Sequence, residues 1–218
     1  MPPTGRPRSE FHKAGGLPME PAAFFLSWSY GRVRSMNVAH LNRMTAEEFV
    51  AWAMHQERGR FELIDGVVVQ MNPERLVHAD VKLNLAIALR AAFKLAGLEG
   101  KVLGDGMAVR IDETTVHEPD ALVRCGASLP DDTTIPTDPV IVCEVLSPST
   151  GPVDTGLKLL NYFTLPSVQH YLVVNTTKRT VLHYARGPDG QPTLRTVSEG
   201  DLRLDPPGLT IAVADLFG

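Results

Sequence analysis

The chain has 218 residues with a mean hydropathy of −0.03, enough length and apolar content for one α/β domain with a full core. Its net charge of −4 is uneven, because residues 1–35 carry +3 and the remainder carries −7. An acidic body lacks the broad basic footprint of a tight nucleic-acid binder, yet it leaves room for a carboxylate cluster neutralised by a metal ion. Two cysteines, Cys125 and Cys143, are too few for a zinc site or a disulfide framework, and both sit in apolar runs, so buried free thiols in a reducing cytoplasm are expected.

In chain order, residues 1–35 are rich in Pro, Gly and Arg without periodicity. The stretch 1–43 reads as a leader, either disordered or an upstream extension of the true start near Met36 or Met44. Its apolar run Ala22–Leu26 is shorter than the roughly 7–15 residues of a signal-peptide core, and no membrane span is predicted. A domain is expected over 44–218. Thr45 followed by Glu48 forms a capping box, with Phe49, Trp52 and Ala53 on one helical face and Gly59 at the end. Asp65-Gly66 between two β-rich apolar runs signals a hairpin.

The spacing of Val81, Leu85, Ala88, Leu89, Ala92 and Leu95 predicts a helix over 79–96, closed by Gly97. Strands are expected at Met107–Ile111, Pro119–Cys125 and Val140–Leu146, the last so apolar that both its faces should be covered. A second amphipathic helix follows over Asp154–Thr164. Strands at Gln169–Asn175 and Thr180–Ala185, a short one near Leu194–Val197 and an apolar tail at Leu209–Leu216 complete the pattern. Helices on both faces of a mixed central sheet give a three-layer α/β fold. No Gly-rich turn follows a strand, which argues against a Rossmann or P-loop site.

Glu144 is a lone carboxylate in the most apolar strand, and a buried carboxylate needs a charged partner or a metal. Asp120 opens the preceding strand. If the two strands pair antiparallel, Asp120 and Glu144 become neighbours on one face. Adjacent carboxylates repel unless a cation lies between them, and oxygen ligands select magnesium or manganese. Asp154, Lys158 and Tyr162 recur at steps of four on the second helix, as a solvated stripe or as a stripe turned over the end of the Glu144 strand. Glu62 on the hairpin and His78 at a helix start are further candidates, with a plain surface strand residue as the alternative for Glu62 and a helix cap or surface residue as the alternative for His78.

Together, Phe61-Glu62-Leu63-Ile64-Asp65-Gly66, His78, Glu118-Pro119-Asp120, Glu144-Val145-Leu146-Ser147-Pro148-Ser149-Thr150, Asp154, Lys158 and Tyr162 resemble the Uma-type restriction endonuclease family of the PD-(D/E)XK nuclease superfamily. The similarity spans about Met44 to Phe217. It implies a restriction endonuclease-like fold and a magnesium-dependent endonuclease acting on DNA, with Asp120, Glu144 and the main-chain carbonyl of Val145 as metal ligands. The superfamily usually places a lysine two residues after this glutamate. Leu146 stands there, and the resemblance assigns the lysine role to Lys158, with Glu62 as an additional acidic residue and His78 as a recurrent histidine. A homodimer suits cleavage of both strands, because a two-fold axis relates two sites. The rival reading is a non-catalytic nucleic-acid-binding or regulatory module on the same fold.

Overall fold

The structure is a computed structural model that describes residues 43–146 and 152–218. Residues 1–42 of the expected leader and the loop at 147–151 lie outside the described residues. Thr45 caps α1 (Ala46–Ala53): its hydroxyl accepts from the Glu48 N–H at 3.2 Å, and the Glu48 carboxylate accepts from the Thr45 N–H at 2.9 Å. Strands β1 (Phe61–Ile64) and β2 (Val67–Gln70) form the expected hairpin. Asp65 and Gly66 at its tip have φ of 49° and 77°, the positive angles that a type I′ turn requires.

The strand expected at Met107–Ile111 shrinks to β4 (Val109–Arg110). The reason is local. The Asp112 carboxylate accepts from the Thr114 N–H at 2.7 Å, and the Ile111 N–H donates to the Thr115 carbonyl at 2.9 Å. The chain thus turns back at once into β5 (Val116–His117), and the order of this small sheet is β2-β1-β5-β4. Ala46, Phe49, Leu63 and Val116 are its core.

The site rests on a six-stranded sheet of β3 (Gly100–Gly104), β6 (Ala121–Cys125), β7 (Pro139–Leu146), β8 (His170–Asn175), β9 (Thr180–Arg186) and β10 (Pro192–Val197). Its order is β10-β9-β8-β7-β6-β3, antiparallel throughout except for β7 beside β8. That parallel pair needs a crossover, and α3 (Pro152–Thr164) supplies it. Alternation along β7 gives the strand two buried faces. Ile141, Cys143 and Val145 pack with Val81, Leu85 and Leu89 of α2 (Leu76–Leu95) and with the hairpin β11 (Asp201–Leu204)–β12 (Leu209–Ala212), which a 3-10 turn at Val213–Leu216 follows. Val142 packs on the other face with Tyr162, Leu159 and Phe163 of α3 and with Tyr171 and Val173 of β8. Helices on both faces of a mixed sheet make the expected α/β fold.

The helix expected over 79–96 begins earlier, at Leu76. Strands β3, β5 and β11 have no counterpart in the sequence reading, since Gly-Lys-Val-Leu-Gly and Asp-Leu-Arg-Leu carry weak β signals. Ala121 pairs with Cys143, and a bulge between Val123 and Arg124 sets Arg124 opposite Pro139. Both cysteines are free; Cys143 is buried and Cys125 half-buried. Among the described residues, no helix is long and apolar enough to cross a membrane.

Candidate metal centre

Antiparallel pairing of β6 with β7 brings the first two carboxylates together. Ala121 opposes Cys143, and the Asp120 N–H donates to the Cys143 carbonyl at 3.0 Å. Asp120, one residue before Ala121, and Glu144, one after Cys143, therefore stand at adjacent positions of the paired strands; Glu144 meets Lys158 and Tyr162 of α3, whereas Asp120 meets Lys82 of α2. Asp120 Oδ2 also accepts from the Val145 N–H at 2.6 Å, tying its carboxylate to the neighbouring strand. Both carboxylates are buried, with 6% and 9% exposure.

From the crossover helix, Lys158 Nζ lies 3.1 Å from Glu144 Oε1 and 2.9 Å from Glu62 Oε1. One turn on, the Tyr162 hydroxyl donates to Glu144 Oε1 at 2.9 Å. The Tyr162 ring is fully buried between His117 and Tyr171, with centroid distances of 5.5 and 5.1 Å. This stripe is thus an internal one, and the alternative of a solvated face fails for Lys158 and Tyr162. The side chain of Asp154 lies outside the described residues.

Glu62, buried on β1, accepts from the Glu118 N–H at 2.9 Å. His117 Nδ1 is 3.6 Å from Glu62 Oε1, beyond hydrogen-bond length. Its Nε2 faces the Asn161 side-chain amide at 2.9 Å. His78 is buried as well and donates from Nε2 to the Leu146 carbonyl at 2.6 Å, pinning the end of β7 to α2; a surface role is excluded.

Sequence reasoning missed Lys82. Its ammonium lies 2.7 Å from Asp120 Oδ1 and 2.9 Å from Asp105 Oδ2, and it also contacts Glu74. Arg60 reaches Glu74 and Glu118, each at 2.8 Å, and contacts Asp105. The signal was present: His78, Val81, Lys82, Leu85 and Leu89 share the buried face of α2, so Lys82 is a charge in an apolar stripe, as Glu144 is in an apolar strand. Glu74, Asp105 and Asp120 each offer an oxygen within 4.8 Å of the others, close enough to hold a metal ion.

Burial, reinforced by the Asp120 and Glu62 charges, pushes the Glu144 carboxyl up to about 8 despite Lys158. Burial also raises Asp120, against the pull of Lys82. Glu62 goes the other way. Burial works against its charge, but His117, the Lys158 ammonium and the Glu118 N–H outweigh it and hold the carboxyl at about 2. Burial likewise disfavours the Lys158 ammonium, yet Glu144 and Glu62 hold its pKa well above the usual lysine value. These groups line one cavity of about 200 Å³, walled also by Val145 and by Val69–Glu74, from the end of β2 onward. It is a pocket of buried acids stabilised by cations.

The model of the Uma2 family, described as "Putative restriction endonuclease", matches residues 46–214. An uncharacterized protein of Synechocystis sp. strain PCC 6803 is 29% identical over 177 residues, covering 80% of this chain and 92% of its own length. A crystal structure from Anabaena variabilis ATCC 29413, described as a "putative nuclease", superposes with a TM-score of 0.62 at 17% identity, over 80% of this chain and 97% of that one. The last likeness concerns the fold alone.

Proposed function

The chain belongs to the Uma2 family, and we propose on that premise that it is a divalent-metal-dependent endonuclease whose substrate is DNA. The observation that carries this reading is the convergence of Glu62 of β1, Glu144 of β7, Lys158 of α3 and Asp120, just before β6, on one cavity.

The donor set fits a hard cation. It is all oxygen, and Asp120 and Glu144 are both raised by burial, which a positive charge would relieve. Magnesium, or manganese in its place, would be held by Asp120, Glu144 and the Val145 carbonyl, and would supply charge neutralisation at the phosphate and a more acidic bound water. The chain's own residues do the positioning. The Val145 N–H orients Asp120, and Tyr162 orients Glu144. Lys158 is held ionised between two carboxylates, where its charge stabilises negative charge developing at the phosphate. Glu62, with its carboxyl near 2, is a poor proton acceptor and serves as the anchor of Lys158. Lys82 balances Asp120 and its acidic neighbours. Asp154, on the same helix as Lys158, remains an accessory candidate. A cytoplasmic compartment is supported by the two free thiols.

The test is a cleavage panel of supercoiled plasmid, linear duplex, single-stranded DNA and RNA with magnesium, manganese or EDTA. Cleavage of DNA that EDTA abolishes is expected. Cleavage of RNA alone would overturn the substrate. Binding without cleavage of any substrate would favour the non-catalytic nucleic-acid-binding module.

A further inference from the structure

The face of α2 turned away from the core is unusually apolar. Leu76, Leu83 and Ile87 are 87%, 59% and 56% exposed. At 3.6 residues per turn they fall within an arc of roughly 40°, in a stripe that runs about 27 Å from Leu76 to Lys94. Asp80 flanks the stripe on one side and Arg90 on the other, both exposed, and among the described residues neither makes an ion pair. Ala79, Ala86 and Ala91 keep the surface shallow. Beside Leu83 and Ala86 lies a groove of about 260 Å³, floored by Gly104 and closed by Asp105, Lys82 and Asp120.

We propose that this face binds a second copy of the chain, with the two α2 helices antiparallel about a two-fold axis that crosses between Leu83 and Ile87. The occupant follows from the pattern, because the stripe is complementary to itself. With the axis at that point, each residue meets the one equally far beyond it. Leu83 meets Ile87 of the partner subunit, Asp80 meets Arg90 of the partner subunit, and Leu76 lies over the stem of Lys94 of the partner subunit. Both apolar side chains find apolar partners, and the pairing of Asp80 with Arg90 forms twice, once on either side of the axis. A different protein as occupant would not require Asp80 and Arg90 to stand equally far from the centre of the stripe. The groove beside Leu83 then receives an aliphatic side chain from the partner subunit, next to the Glu74–Asp105–Lys82 cluster that adjoins Asp120. This surface is independent of the nuclease reading, since it involves no cleavage and no metal.

The test is sedimentation velocity on the full chain across micromolar concentrations, with thermal melts to confirm folding. The wild type is expected to be a dimer. Asp80→Arg and Arg90→Asp should each weaken dimerisation about tenfold or more, because each sets like charges face to face at two places. The combined Asp80→Arg/Arg90→Asp chain should recover the wild-type affinity, and Ile87→Lys should be monomeric. A monomeric wild type would overturn the proposal. So would a dimer indifferent to these changes, or a double exchange no tighter than either single variant.

Discussion

Replacing Lys158 by Met keeps most of the side-chain stem and removes only the ammonium. That ammonium lies 2.9 Å from Glu62 and 3.1 Å from Glu144, in a buried site. Removing one partner of a buried ion pair typically costs about 3–5 kcal/mol, against at most about 1 kcal/mol for a surface pair. Burial already favours the protonated form of Glu144, and loss of the ammonium favours it further, which leaves Glu62 as the main uncompensated charge and puts the loss near the lower end. For a domain of this size, about 3 kcal/mol lowers Tm by roughly 6–12 °C. Activity should fall more steeply, by about 10²–10³, if the ammonium stabilises charge at the phosphate. The assays are thermal melts in EDTA and magnesium-dependent DNA cleavage. A stability loss below about 1 kcal/mol would refute the buried-pair account. Cleavage at the wild-type rate would remove Lys158 from the chemistry.

Three other substitutions probe separate parts of the structure. Lys82→Met leaves Asp120, Asp105 and Glu74 short of positive charge, so it should melt lower than wild type in EDTA and gain more from added magnesium; an equal gain in both proteins would contradict the role given to Lys82. Gly100→Ala would place a Cβ 2.1 Å from the Arg124 carbonyl oxygen at a φ of 135°, so urea unfolding should show a loss well above about 1 kcal/mol, and an unchanged midpoint would dispute the pairing of β3 with β6. His170 and His183, 2.9 Å apart, are both lowered by burial, which with the charges of His170 and Arg195 brings His183 to about 4, while the Pro206 carbonyl and Asp205 partly oppose the shift at His170. The folded state therefore binds fewer protons than the unfolded one, and stability present above about pH 6.5 should decline as pH falls toward 4. His183→Gln should flatten that decline between about pH 6.5 and 5, and an unaltered slope would exclude the pair.

The sequence was most readable where one residue decided the outcome. Asp65-Gly66 can adopt positive φ, so its hairpin was predictable, and Thr45 with Glu48 announced the start of α1. Glu144 stands out as a charge within an apolar strand, and the antiparallel pairing of β6 with β7 sets Asp120 at the neighbouring position. Short strands were less visible. β5 has two residues, and its place depends on the distant partner Leu63. Lys82 is masked by the apolar periodicity of α2 around it, although a charge within an apolar stripe carries the same signal as Glu144 within its apolar strand. Arg60, Asp105 and Glu74 lie far apart in the chain, and only the packing of the hairpin and α2 near the end of β3 unites them.

The central claim is that Asp120 and Glu144 share one divalent cation. The most direct measurement is the anomalous density of crystals grown with manganese, for the wild type and for Asp120→Asn. One peak is expected in the wild type, within reach of Asp120, Glu144 and the Val145 carbonyl, together with its loss in the variant. A peak confined to Glu74 and Asp105, away from Glu144, or no peak at saturating manganese, would contradict it.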